Sequence, residues 1–238
     1  MKILVIKFRH IGDVLLSSVL AKNLKEIYPG STVDYLVNAE SVDMLTLNPN
    51  IDNIYGYDRK KGKKSGFLGR ISYELSLFKN IIKNRYDIVI NTTEGERGGY
   101  ITMLSGAETK VGIAAKKGVF SKFSPYTHEF RLTLFRHIVE SNLDTLRILG
   151  YEPTSKAVEL FFAPSDNEKI DAILGDVQDF VHFHPASRWF FKCLSPAQNG
   201  EIIDFIEAMG TKVVLTAAPN AKEKKMIDEI LFCCKKIG

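Results

Sequence analysis

The sequence predicts an α/β protein built on parallel strands, and three observations carry that expectation. Ile3-Leu4-Val5-Ile6 is an unbroken apolar run, the pattern of a strand buried on both faces of a sheet. The stretch from Asp13 to Ile27 places Val14, Leu15, Val19, Leu20, Leu24 and Ile27 on one helical face. The same strand-then-helix order then recurs, which favours an open sheet with right-handed crossovers.

The elements follow in order. Pro29 and Gly30 stop the first helix, and strands are expected over 33–37 and 87–90. Between these strands, Arg59, Lys60, Lys61, Lys63, Lys64 and Arg70 sit among glycines, the composition of an exposed basic loop. A second loop, over 114–127, holds Lys116, Lys117, Lys122 and Pro125. A long helix is expected over 133–149, with Gly150 as its C-cap. After Tyr151 the pattern restarts. Pro153, Ser155 and Pro164 mark a linker, and Ser165 is expected to cap a helix from Asn167. Strands over 180–184 and 213–216 then alternate with helices over 196–209 and 221–235. The expected division is a first domain over 1–150, a linker over 151–164 and a second domain over 165–238. A complete doubly wound domain takes roughly 120 residues or more. Two strands also leave an exposed sheet edge, so the second domain is expected to be partial.

Composition narrows the function. The 238 residues are 45% hydrophobic and 25% charged, as in an ordinary packed protein. A net charge of +4 is too weak to imply nucleic acid, yet it suits an anionic substrate or an acidic lipid surface. No apolar run approaches the roughly 20 residues that span a bilayer. The opening apolar patch is also too short for a secretory signal. Cys193, Cys233 and Cys234 offer neither a disulfide framework nor a zinc spacing, so a cytoplasmic location is expected.

Three loops concentrate chemistry. Lys7-Phe8-Arg9-His10-Ile11-Gly12-Asp13 leaves the first strand where open α/β sheets place ligands. It carries neither G-x-G-x-x-G nor a P-loop, which counts against an unrelated dinucleotide enzyme or kinase. Asp13 has two readings at this point: a helix N-cap, or a carboxylate held at a crevice as a general base. The second loop, from His182 to Cys193, offers Ser187, Arg188 and Lys192 as phosphate donors. His182 and His184 face one side of a strand, but no third ligand has metal spacing, so no metal site is expected. In the third, 215–223, Glu223 reads first as a charge complementing a helix dipole. Asn91-Thr92-Thr93-Glu94 closes a strand and is by default a polar strand end, with lining of the crevice as the alternative. Arg9, Lys60, Lys61, Lys63 and Lys64 are the candidate contacts to an anionic acceptor, though such side chains are ordinarily just solvated.

KILVIKFRHIGDVLLSSVL resembles the opening of the ADP-heptose:lipopolysaccharide heptosyltransferases, the glycosyltransferase family 9 proteins. HPASRWFFKCLS and KVVLTAAPNAKEKK resemble two later blocks of that family in the same order. Through FRHIGD and the Phe-Lys-Cys triplet, the likeness is to members that add the third inner-core heptose. The resemblance implies a GT-B architecture, two Rossmann-like domains facing a cleft, with the second incomplete here. It implies a lipid-linked lipopolysaccharide inner-core acceptor on the first domain and ADP-heptose on the second. It also implies inverting transfer without metal or cofactor, and peripheral contact with the inner membrane. Asp13 matches the family's catalytic base. Lys192 matches a lysine on the donor diphosphate, Ser187 a hydroxyl near the same phosphates, and Glu223 a glutamate at the ribose. The chain departs from the family at Ser17, Ser18, Val19, Ala217 and Ala218. The family's later Asp-Ser-x-x-x-His-type block is absent, so the chain is expected to be C-terminally truncated, with weakened donor binding. The alternative is a non-catalytic remnant that binds acceptor lipopolysaccharide or a partner enzyme.

Overall fold

The computed structural model describes residues 1–58, 66–187 and 189–235. It divides into two compact units, Met1–Ala163 and Pro164–Gly238. Lys60, Lys61, Lys63 and Lys64, expected at the acceptor, and Arg188, expected at a phosphate, lie outside the described residues.

Among the described residues, unit 1 holds six strands: Lys2–Lys7 (β1), Thr32–Asn38 (β2), Asn53–Tyr57 (β3), Ile88–Asn91 (β4), Thr109–Ile113 (β5) and His128–Phe130 (β6). They pair in parallel throughout, in the order β3-β2-β1-β4-β5-β6. The helices are Ile11–Ser17 (α1), Val19–Ile27 (α2), Gly66–Asn84 (α3), Glu96–Leu104 (α4) and Ile138–Arg147 (α5). Alternation along β1 feeds two cores, because successive strand side chains point to opposite faces. Ile3 and Val5 pack with Val14, Leu20 and Leu24 of α1 and α2 and with Leu143 and Leu146 of α5. Leu4 and Ile6 pack on the other face with Ile81 of α3 and Ile101 of α4.

Two expectations shift. The helix expected over 13–27 is two helices meeting at Ser18, whose N–H donates to Leu15 O at 3.0 Å in a tighter, 3₁₀-like turn. The helix expected over 133–149 begins only at Ile138, where His137 Nδ1 accepts from Val139 N at 3.3 Å. Before it the backbone turns through Phe135 at φ 64°.

Residues 151–163 group with unit 1, and polar ties explain why. Buried Asn23 accepts from Thr154 N and Ser155 N at 2.8 and 3.2 Å and donates to Ser155 O at 2.9 Å. Lys156 reaches Glu140 at 2.6 Å, and Tyr151 meets Tyr28 edge to face, with ring centres 5.4 Å apart.

Unit 2 comprises Pro164–Leu174 (α6), Phe180–Phe183 (β7), Pro196–Ala208 (α7), Lys212–Leu215 (β8) and Ala221–Cys233 (α8). Its two described strands pair in parallel. Proline opens α6, so Ser165 lies inside the first turn rather than at the expected cap. The start of α7 carries a reciprocal capping box between Ser195 and Gln198. Ala186, Ile203, Met226 and Ile230 form the buried core, and α6 contributes no buried residue to it. Among the described residues no helix is long and apolar enough to cross a membrane.

Replacing Asn23 with Ala strips partners from Thr154 and Ser155 at once, for an expected cost of about 2 kcal/mol. Urea denaturation should show the lower midpoint, and limited proteolysis should show faster cleavage within 151–158. Unchanged cleavage there would mean that Asn23 does not hold the segment.

Candidate active site

Strand order reverses around β1: the chain steps outward to β2 and β3, then returns to β4 on the other side. Loops leaving β1 and β4 therefore part at their carboxyl ends and open a crevice, the usual ligand position in such sheets. Here it measures about 260 Å³, and Lys7, Arg9, Asp13, Thr92, Glu94, Ser141 and Asn142 supply its polar lining.

The floor is Lys7, the last residue of β1 and only 2% exposed. Its ammonium donates to Thr92 O at 2.9 Å and to Asn142 Oδ1 at 3.4 Å. Burial pushes Lys7 down from 10.5 to about 8; Asp13 and Glu94 oppose that shift, while Arg9 adds to it. Asp13 stands in the first turn of α1, whose N-cap is His10. The N-cap reading of Asp13 therefore fails, because the helix starts two residues before it. No hydrogen bond or ion pair engages the Asp13 carboxylate among the described residues. Arg9, by contrast, is ion-paired with Glu94, and its carbonyl accepts from Asn38 Nδ2 at 2.9 Å.

The β4 loop is tied down closely. Phe8 N donates to Thr93 Oγ1 at 2.7 Å, Asn91 Oδ1 accepts from Thr93 N at 3.0 Å, and Asn91 Nδ2 donates to Tyr126 OH at 2.7 Å. Of the two readings of 91–94, the crevice-lining one holds, since Thr92 and Glu94 line it. Asn142 was missed altogether; it comes from α5, where its Nδ2 also donates to Leu16 O at 3.0 Å. An asparagine among the apolar positions of a helix was the only available signal.

In unit 2 the loops following β7 and β8 share one sheet edge. His182 Nε2 and His184 Nδ1 both meet Thr216 Oγ1, at 2.8 and 3.0 Å, which gives the two histidines a common partner. Lys222 lies over the Phe190 ring at 3.8 Å from its centre, linking the two loops. Lys192 closes the short turn Phe190–Lys192 with its ammonium 6.0 Å from the Phe191 ring centre, and no carboxylate pairs with it among the described residues. Ser187 Oγ accepts from Trp189 N at 3.3 Å. Glu223 lies in the first turn of α8 and accepts from Ala218 N at 2.7 Å and Asn220 Nδ2 at 3.1 Å. Those bonds, with the His184 charge nearby, hold its carboxyl below the usual range. The structure thus brings Ser187, Lys192 and Glu223 to one edge of unit 2, and Arg9 and Asp13 to one crevice of unit 1.

Comparison with known proteins sets these sites in a lineage. Residues 74–237 match the family model "Glycosyltransferase family 9 (heptosyltransferase)". The chain is 30% identical to lipopolysaccharide heptosyltransferase 3 of Escherichia coli over 232 residues, covering 95% of this chain and 67% of that protein. Among solved structures it is similar to the glycosyl transferase family 9 protein from Veillonella parvula, with a TM-score of 0.83 and 22% identity over 99% of this chain and 67% of that one. It is also similar to E. coli heptosyltransferase WaaC solved with ADP-2-deoxy-2-fluoro heptose, with a TM-score of 0.76 and 17% identity over 97% of this chain and 73% of that one. These structures share the α/β fold of GT-B type. The chain spans about two thirds of the length of the curated relatives it matches. With most of its residues inside the family match, this chain belongs to glycosyltransferase family 9, the heptosyltransferases.

Proposed function

We propose that the chain serves transfer of a heptose from ADP-heptose to a lipid-linked lipopolysaccharide inner-core acceptor, at the cytoplasmic face of the inner membrane. The observation that carries this reading is the Asp13 carboxylate, unengaged in a crevice whose other charged groups are already bonded. Asp13 takes the proton of an acceptor hydroxyl as that oxygen attacks the anomeric carbon, and the bond to ADP breaks on the opposite face. A single displacement inverts the anomeric centre. Negative charge grows on the departing diphosphate, and Lys192 and Ser187 offer it a cation and a hydroxyl, so the proposed chemistry needs no divalent metal. Glu223 takes the ribose hydroxyls. Arg9, with Lys60, Lys61, Lys63 and Lys64, takes anionic groups of the acceptor. Three free cysteines fit a reducing compartment.

Calorimetry of the 238-residue protein with ADP-heptose should show binding that weakens at least tenfold in Lys192→Ala, as loss of a charged phosphate contact implies. A folded protein that binds no ADP-heptose would overturn the donor half of the proposal. Asp13→Asn should leave that affinity unchanged and lower transfer by about 10² to 10⁴. Near-normal transfer by the variant would remove Asp13 from the chemistry.

Lys7 supplies a test that needs no turnover. Its folded-state pKa of about 8 lies below the ordinary 10.5, so between these values the unfolded chain holds a proton that the folded chain has released. The folded state therefore gains stability as pH rises across that window, by up to about 1.4 kcal/mol per pH unit, and gains nothing below it. Lys7→Met removes the slope, whatever constant offset comes from its lost bonds to Thr92 and Asn142. Urea denaturation of both proteins from about pH 7 to about pH 10 reads the difference, and parallel curves would show that Lys7 titrates normally.

A further inference from the structure

Two adjoining loops of unit 1 carry apolar side chains that the fold leaves outside. After β6, Leu134 and Phe135 are 82% and 104% exposed. Phe135 occupies the left-handed region at φ 64°, a conformation that disfavours any residue with a Cβ and gains Phe135 no packing in return. After β5, Val119 and Phe123 are also exposed. Phe123 is braced from behind: its ring meets buried Phe120 at 5.5 Å between centres, and Phe120 meets Tyr100 at 4.8 Å.

Within the two loops themselves the charges have one sign, although Glu96 of α4 accepts from Val119 N at 3.1 Å. Residues 114–127 contain Lys116, Lys117 and Lys122, residues 131–137 contain Arg131 and Arg136, and neither stretch contains an acid. Arg136 is paired with Asp144 on α5 at 2.8 Å. No side-chain hydrogen bond or ion pair engages the other four among the described residues. Strands β5 and β6 are neighbours, so their loops leave the sheet side by side. Lys116 and Arg131 line one cavity of about 350 Å³ together with Glu94, Ile113 and Leu132. Those last three residues also line the Asp13 crevice.

We propose that the 114–127 and 131–137 loops form a membrane-docking surface, with Leu134 and Phe135 entering the acyl boundary of an anionic bilayer and the four cations resting on its headgroups. Apolar side chains at a loop tip ringed by basic ones are what such an interface selects: burial in lipid drives insertion, and attraction to anionic headgroups orients it. A second copy of the chain would set the same four cations against each other, whereas an anionic lipid surface neutralises them. Docked this way, the protein holds the mouth of the Asp13 crevice at the bilayer surface, within reach of a sugar carried on a lipid. That consequence rests on the acceptor reading above; the docking itself does not.

Vesicle co-sedimentation of the 238-residue protein provides the test. Vesicles containing phosphatidylglycerol should pellet the protein, vesicles of phosphatidylcholine alone should not, and added salt should release it. Leu134→Ser with Phe135→Ser should lower vesicle affinity at least tenfold with an unchanged melting midpoint, since both side chains are outside the core. Lys116→Gln with Lys117→Gln and Lys122→Gln should abolish the preference for phosphatidylglycerol. In a Trp189→Phe background, Phe135→Trp should blue-shift on vesicles and be quenched by brominated lipid. Failure of the wild-type protein to bind either vesicle overturns the proposal, as does equal binding by the double serine variant or an unshifted tryptophan. Lipid-free self-association abolished by that variant would assign the surface to a second copy instead. ADP-heptose affinity is measured on unit 2 residues, so a failed donor assay leaves these results standing, and the reverse also holds.

Discussion

Ile3, Leu4, Val5 and Ile6 retain no solvent contact at all, and the architecture of unit 1 answers that demand. Fully burying a side chain of this kind contributes about 1.5 to 3 kcal/mol, and only a central strand with helices on both faces buries four in succession. Once β2 and β4 occupy the two ladders of β1, the loops leaving β1 and β4 must separate. The crevice is thus a topological consequence of burying β1. Lys7 continues the strand into this space, so its ammonium arrives beside Thr92 and Asn142 with little water to solvate it. Its lowered pKa and the apolar run of β1 have one origin.

Unit 2 rests on different forces. Parallel strands are ordinarily covered on both faces, yet every residue of β7 is at least partly exposed and the buried core is four side chains. Local polar ties carry more of its geometry: the Ser195–Gln198 capping box, Asn220 and Glu223 around the start of α8, and Thr216 between two histidines. Each contributes about 1 kcal/mol or less. Together they shape the 184–193 and 216–223 loops without supplying a large stability. The loops that bear Lys192 and Ser187 are therefore ordered by short-range chemistry, whereas the crevice of Asp13 is ordered by a core.

What the sequence made legible follows the same division. β1, β2 and β4 are readable because two-sided burial writes continuous apolar runs, and α7 because serine, proline and glutamine mark its start. β6 is three residues long and β3 is interrupted by Gly56, so neither presents a pattern long enough to register. α4 was hidden by Gly98 and Gly99, which argue against a helix locally. They are required because Asn91 and the Phe120 ring occupy the space a Cβ would need. Asp13 and Lys192 became candidates through motif likeness. Asn142 did not, because its role exists only once α5 packs beside α1 and sets it against a lysine far earlier in the chain. Local pattern reports elements; a contact of that separation is a property of the assembled fold.

Charge in unit 1 is sorted by place. Within the crevice Lys7 and Arg9 are matched by Asp13 and Glu94, and all but Asp13 are held in hydrogen bonds or an ion pair. A locally balanced pocket suits a neutral group, because no strong net field opposes its entry; in the proposed mechanism that group is a sugar hydroxyl and Asp13 receives its proton. Beyond Glu94 the balance ends: Lys116, Lys117 and Arg131 line the adjoining hollows with only Glu94 and Glu96 opposite. The proposed acceptor, neutral at its reacting hydroxyl and anionic elsewhere, would meet both conditions in sequence along one edge of the sheet. That edge exists because β4, β5 and β6 lie in order beside β1, and the order traces back to the strand with no solvent face.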